Sequence, residues 1–406
     1  VTHEFPVPME RKAKGGARHF RVSSWELEPP KGRKNRTELG WPSASKEVLG
    51  QLISSPAQNV HRQLLSSGWD PQMAAKAEEA VKLLLEIKSI KAIQRYAPSL
   101  QTYAPNGRIH PSFAFNTSTG RLSCSRPNLQ NLPTSSKDDY GIRSAFRAEP
   151  GHSFIMADYS QLELRILAHM SKCESMMEHF KTGGDYHSET AADMYDYIKK
   201  AIDEGKVSTS GNGPSVKSRF PQERSSAKAI NFGIAYGATA QSLSESLGVS
   251  EDKAQEMMKA WFSKKPSVKR WIEDVKAEAR RSKRSTSLLG RYRNLPLLDG
   301  KMPLFIHSRC ERAAVNYAIQ GSAADVVTAA MLRLWSHPRL KELGFQLVLQ
   351  VHDEFVLQGP TEAAEEATQI VKQLMVAPLK ETNPGFSLAV PLEVSLAICS
   401  DLGEKA

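Results

Sequence analysis

Two groups of side chains in this 406-residue chain have the types and spacing for chemistry on phosphates. The first is a set of carboxylates. Asp158 closes the apolar segment from His152 to Ala157, and Asp353-Glu354 lies between two apolar runs, Phe345 to Val351 and Phe355 to Leu357. The period-two character of Phe345 to Val351, followed by the second apolar run, predicts strand, tight turn and strand, with both acids at the tip of a hairpin. A charged pair at a turn is by itself an ordinary solvated feature. A second strand ending in Asp158 changes that reading, because two strand-borne carboxylates can meet in space. The second group is a stripe, with Arg224, Lys228, Phe232 and Tyr236 recurring every four residues. On a helix from about Pro221 to Gly237 each step drifts about 40°, so the four share a face about 120° wide. A core stripe with snorkelling basic ends has the same spacing.

Phosphoryl transfer to a hydroxyl uses two divalent cations about 3.5–4 Å apart, one at the nucleophile and one at the leaving phosphates. Mg²⁺ takes oxygen ligands and keeps several waters, so two aspartates with substrate phosphates suffice. Arg224 and Lys228 offer charge for a triphosphate, and Phe232 offers a flat face for a base. The parts form a nucleotidyl-transfer site.

The rest of the chain must hold these groups. At 406 residues it exceeds one compact core, and a 40% hydrophobic, 24% charged composition is that of a globular protein. The net charge of +10 and pI near 9.3 fit a polyanionic partner, most simply nucleic acid. No apolar run is long enough to span a bilayer, so no membrane role is expected. Cys124, Cys173, Cys310 and Cys399 are scattered without metal-ligand spacing and fit a reducing compartment. The opening at Val1, without an initiator Met or signal peptide, is expected of a fragment of a longer chain.

A basic stretch, Arg11 to Arg36, reads as solvated or as a nucleic-acid backbone contact. Helical patterns follow from Ala44 and from Pro71 to about Tyr96, then a short strand from Gly107 to Phe115 and a polar loop, Gly120 to Pro133. A helix is expected over Gln161 to Ala168. Lys199 to Gln222, rich in Gly, Ser and Lys, reads as an exposed insertion. Further helices are expected over Ser250–Lys264, Ser267–Lys283 and Ser308–Ser336. No internal repeat is found.

Asp158-Tyr159-Ser160-Gln161-Leu162-Glu163-Leu164-Arg165 resembles the first signature of family A DNA polymerases, the DNA polymerase I type. Arg224 through Tyr236-Gly237 resembles their nucleotide-binding fingers helix, and Val351-His352-Asp353-Glu354 their third signature. Thr119-Gly120-Arg121-Leu122-Ser123, Asn128-Leu129-Gln130-Asn131 and Gln320-Gly321-Ser322-Ala323-Ala324-Asp325 are similar too, in the same order. The resemblance runs from about residue 37 to the C-terminus. It implies an α+β right-hand polymerase fold with an antiparallel palm sheet, helical fingers and a helical thumb. Residues 1–100 would form an N-terminally truncated thumb, 101–182 and 301–406 the palm, and 183–300 the fingers.

Residue by residue, the resemblance implies two Mg²⁺ ions, with Mn²⁺ as a substitute, on Asp158, Asp353 and the backbone carbonyl of Tyr159. Asp158, Asp353, Glu354 and Lys228 would form the catalytic group. Tyr159, Gln161, Glu163, His187, Arg224, Lys228, Phe232 and Tyr236 would bind the nucleotide. Among these, Glu163 paired with Tyr236 would exclude a ribose 2′-hydroxyl. Arg121, Asn128, Gln130, Asn131, Asn316, Gln320 and His352 would contact primer and template.

The Lys199 to Gln222 insertion is similar to those of plant and protist organellar enzymes, including apicoplast ones. A plastid, apicoplast or mitochondrial location is therefore expected. Phe232, where phage-type enzymes have Tyr, implies discrimination against dideoxynucleotides. No proofreading exonuclease is expected in this chain. The implied partners are primer-template DNA, deoxynucleoside triphosphates and replisome proteins such as a helicase or primase, with the chain a monomer. A single-subunit RNA polymerase, or a non-catalytic basic DNA-binding factor, is the alternative reading at this point.

Overall fold

The computed structural model describes residues 2–3, 22–23, 45–54, 59–94, 96–133, 138, 140–209, 213–298, 302–381, 383 and 385–404. The basic run from Arg11 to Arg36 lies outside them. The chain divides into two compact units, Val1–Arg108 and Ile109–Ala406.

In the first unit, β1 (Thr2–His3) and β2 (Val22–Ser23) pair antiparallel. They precede α1 (Lys46–Ser54), α2 (Val60–Ser66), α3 (Pro71–Gln94) and α4 (Tyr96–Thr102). Asn59 caps α2 by accepting from Arg62 N at 3.1 Å, and Asp70 Oδ2 accepts from Gln72 N and Met73 N at 3.1 Å to start α3. Leu49, Leu52, Val60, Leu64, Ala74, Ala77 and Val81 form this unit's core.

The second unit opens with β3 (Ser112–Ala114), β4 (Ser123–Ser125) and β5 (His152–Tyr159). Helices follow: α5 (Leu162–Ser171), α6 (Glu174–Thr182), α7 (Tyr186–Met194), α8 (Asp196–Asp203), α9 (Val216–Arg219), α10 (Pro221–Ala235), α11 (Ala240–Leu247), α12 (Glu251–Lys264) and α13 (Pro266–Ser282). After the short pair β6 (Arg284–Thr286) and β7 (Tyr292–Asn294) come α14 (Leu304–Ser336) and α15 (Pro338–Glu342). Strands β8 (Gln346–Val351) and β9 (Glu354–Pro360), helix α16 (Ala364–Val376) and β10 (Val394–Cys399) complete the chain.

Four strands form an antiparallel sheet in the order β10-β5-β9-β8. Ile155, Ala157 and Tyr159 of β5, with Phe355 and Leu357 of β9, face a core built with α14 and α16. Asp158 and Glu354 therefore lie on the opposite face, as strand alternation requires. A second core lies among α6, α7 and α10 to α13. Helix α5 serves both: Leu162 and Ile166 enter the sheet core, while Leu164, Leu167 and Ala168 enter the second. Side chains on α5 are thus fixed relative to sheet and helices together.

The expected exposed insertion is more ordered than its composition indicated. Val207 and Val216 are buried in a small core with Ala191, Ile198 and Ala227. Ser208 N donates to Pro214 O at 2.9 Å and Val216 N to Ser208 O at 3.0 Å, so the described ends of this segment are packed and joined; residues 210–212 lie outside the described residues. The two valines were too sparse a signal against that polar composition.

Candidate active site

The hairpin between β8 and β9 turns through His352 and Asp353, with His352 in the left-handed region at φ 55°. Histidine is among the few non-glycine residues that tolerate it. The Gln350 side-chain amide donates to the His352 carbonyl, and Tyr159 N donates to Asp353 O at 3.3 Å. Asp158 is the register partner of Glu354. Asp158, distant in sequence from the adjacent Asp353 and Glu354, therefore converges with them at one end of the sheet. Burial, and then the charge of Asp158, push the Asp353 carboxyl up to about 7. The Tyr159 ring turns away into the core, its hydroxyl donating to Met375 O at 2.9 Å.

Gln161 takes the left-handed conformation before α5, at φ 56°, and its Oε1 is buried without a partner among the described residues. Glu163, in the first turn of α5, is buried and held from two sides. Arg121 forms an ion pair with its Oε1, and the Tyr236 hydroxyl donates to its Oε2 at 2.5 Å. Burial, and then Glu163, raise the Tyr236 phenol above its ordinary value, so it is a donor throughout the physiological range. Arg121, Glu163, His352 and Asp353 line a single cleft with Gly120 and Leu122. Burial, followed by the Arg121 charge, lowers the His352 pKa and favours its neutral form.

The expected helix carries the expected stripe. Arg224 makes a two-toothed pair with Asp185, Nε to Oδ2 at 2.5 Å and Nη2 to Oδ1 at 3.1 Å. Asp185 also caps α7 by accepting from His187 N at 3.2 Å. Burial pushes the Asp185 carboxyl up, but the bonds from Arg224 and Ser188 outweigh it and hold it below its ordinary value. Lys228 is exposed and makes no ion pair among the described residues. Phe232 is half-buried, its ring stacked on Tyr236 at 6.0 Å between centroids and tilted against His187 at 5.6 Å. His187 is buried, and burial above all brings its pKa down to about 4. The left-handed Gly237, at φ 70°, lets the end of α10 meet the Arg312 backbone on α14.

The remaining expected contacts divide. Asn316 and Gln320 lie on α14, half-buried, with no side-chain hydrogen bond among the described residues. Asn131 is exposed on a short helical turn. Asn128 caps that turn through Gln130 N at 3.0 Å, and Gln130 Nε2 reaches Gln350 Oε1 at 3.2 Å. Two residues were missed as part of the site. Arg291 Nε donates to buried Asp325 at 2.5 Å, while its Nη2 reaches Gly321 O at 2.8 Å and Thr119 O at 3.3 Å. It thereby clamps the loop carrying Arg121 to α14. The Gly290-Arg291-Tyr292-Arg293 string gave no periodic signal for that role.

Among the described residues, no group of three or more His, Cys, Asp or Glu side chains is arranged to hold a metal alone. None of their helices is long and apolar enough to cross a membrane. A family model described as DNA polymerase family A matches residues 70–404. The chain belongs to DNA polymerase family A. Its similarity extends to rice "DNA polymerase I A, chloroplastic", at 46% identity over 86% of this chain and 38% of that protein. It is also similar to Arabidopsis thaliana "DNA polymerase I B, chloroplastic/mitochondrial", at 45% identity over 76% of this chain and 31% of that one. The POL domain of Pol1 from M. smegmatis, solved with DNA primer-template and dNTP, superposes with a TM-score of 0.71. That match has 30% identity and covers 93% of this chain and 59% of that one. The fold of this family A chain is the α+β right-hand polymerase type that the resemblance implied. The chain spans about a third of the length of the curated relatives it matches.

Proposed function

We propose that this chain catalyses template-directed DNA synthesis, adding deoxynucleotides to a primer 3′-hydroxyl with release of pyrophosphate, in a plastid or mitochondrion. The observation that carries the reading is the convergence of Asp158 and Asp353 beside a Glu163 carboxylate clasped by Arg121 and Tyr236. The names of the plant relatives support the organellar location. In this reading residues 101–182 with 301–406 are the palm, 183–300 the fingers and 1–100 the thumb. The chain works as a monomer on primer-template DNA, alongside replisome proteins such as a helicase or primase.

The donor set fits hard divalent cations: two carboxylates and the Tyr159 carbonyl, oxygens only. Burial first, and then the charge of Asp158, raise the Asp353 pKa, and a cation between the two carboxylates would offset both effects. Two Mg²⁺ ions, or Mn²⁺ in their place, held by Asp158, Asp353 and the Tyr159 carbonyl would neutralise the phosphates and activate the primer hydroxyl. Lys228 and Arg224 bind the triphosphate, Arg224 exchanging Asp185 for phosphate oxygens. Phe232 packs against sugar and base. Glu163 occupies the space of a ribose 2′-hydroxyl, and its two partners keep it there.

The decisive experiment is primer extension with Mg²⁺, comparing wild type with Asp158→Ala and deoxy- with ribonucleotides, alongside a DNA-binding measurement. Extension by wild type alone, with deoxynucleotides preferred and DNA bound by both proteins, is expected. Ribonucleotide preference would favour an RNA polymerase; binding without extension by either would leave a DNA-binding factor.

A further inference from the structure

One buried hydrogen-bond chain has a single consistent direction. Trp261 Nε1 lies 2.7 Å from Asn231 Oδ1, and an indole nitrogen can only donate. That fixes the Asn231 amide: Oδ1 faces Trp261, and Nδ2 faces Thr190 Oγ1 at 3.0 Å and His187 Nδ1 at 3.1 Å. The Thr190 hydroxyl gives its one proton to Tyr186 O at 2.8 Å, leaving its oxygen to accept. The two Nδ2 protons of Asn231 thus go to Thr190 and His187. Nδ1 of His187 must accept, and the imidazole proton belongs on Nε2. That nitrogen has no partner among the described residues.

We propose that Asn231 is a positioning residue, locking His187 in the Nε2–H tautomer so that this N–H is a preformed donor to an oxygen of the incoming triphosphate. The inference deepens the polymerase reading and rests on it. His187 follows Asp185, the partner of Arg224, and packs on Phe232. Its Nε2–H therefore belongs to the same substrate end as the two cations. Of the groups facing the ring only Asp185 favours its charged form; burial above all, with Arg224, Lys228 and His179 acting in the same direction, keeps it neutral. A neutral donor of fixed orientation selects for phosphate geometry rather than adding a third positive charge.

The test has two arms. In the first, ¹⁵N-labelled histidine in the intact protein is read by long-range ¹H–¹⁵N correlation at neutral pH, with His187→Gln assigning the signal. Wild type is expected to carry the proton on Nε2. Asn231→Asp, nearly the same shape but without donor hydrogens, is expected to draw a proton onto Nδ1. Wild-type His187 protonated on Nδ1, or an even mixture, overturns the proposal whether or not the protein polymerises. In the second arm, Asn231→Asp raises the deoxynucleotide KM about ten- to a hundredfold with a smaller change in kcat. Adding it to His187→Gln costs nothing further. An unchanged KM, or additive losses in the double variant, overturns the link to the triphosphate. Inactive wild type with the expected tautomer instead counts against the polymerase reading.

Discussion

The Tyr236 hydroxyl donates to Glu163 Oε2 across 2.5 Å, tying the end of α10 to the first turn of α5. With Arg121 on the other oxygen, the carboxylate is held in place, and in the proposed reading it would bar a ribose 2′-hydroxyl. Glu163→Ala is expected to raise the ratio of ribo- to deoxynucleotide incorporation roughly tenfold or more, and Tyr236→Phe, which removes one restraint, by less. Competition between the two triphosphates on a primed template measures both.

Phe232 presents a ring without a polar tip, stacked on Tyr236 and tilted against His187. A hydroxyl placed there by Phe232→Tyr supplies the contact that a missing 3′-hydroxyl would make. Dideoxynucleotide incorporation is expected to rise about tenfold. An unchanged dideoxy-to-deoxy ratio in a termination assay would contradict the sugar contact.

In the proposed reading the Asp353 carboxyl, pushed up to about 7, would set a pH dependence for divalent-ion binding. Its pKa is raised, so the proton is held up to about neutrality and competes with a cation below it. Mn²⁺ affinity in calorimetry is expected to weaken as pH falls below about 7, by up to about tenfold per unit, and to level off above. In Asp353→Asn both the affinity and this slope should fall.

Gly120 lies at φ 80°, and a Cβ there would overlap the Arg291 guanidinium. That guanidinium has little room to move, being bonded to Asp325, Gly321 O and Thr119 O. Gly120→Ala is expected to cost about 1–3 kcal/mol in urea unfolding. It should also disturb the placement of Arg121, the next residue, seen as lower nucleotide discrimination.

The hairpin and the stripe on α10 were legible in the sequence because each follows a simple period, and the β5 segment because it is a short apolar run closed by a carboxylate. Helices α3, α10, α12, α13 and α14 came within a few residues of their ends; α14 begins at Leu304 rather than Ser308. Strand β10 and helix α16 were not foreseen. β10 is half-buried without a strict alternation and is defined by its pairing with β5, and no local signal names that partner. Within the site, side-chain type showed which residues could touch a nucleotide but not which already touch one another. Arg121 proved to be the partner of Glu163, and Arg224 that of Asp185. The role of Asn231 depends on a tryptophan one helix pair away, a relationship that no spacing rule contains.

The sheet order carries a consequence for how the protein is made. Strand β5, with Asp158 at its end, lies between β9 and β10, and both leave the ribosome long after it. Until β9 (Glu354–Pro360) has emerged, a strand of almost unbroken apolar side chains has neither neighbour, and until β10 (Val394–Cys399) follows it has only one. Between the emergence of β5 and that of its neighbours the nascent segment is adhesive as a polymer, and chaperones would have their strongest claim on it in that interval.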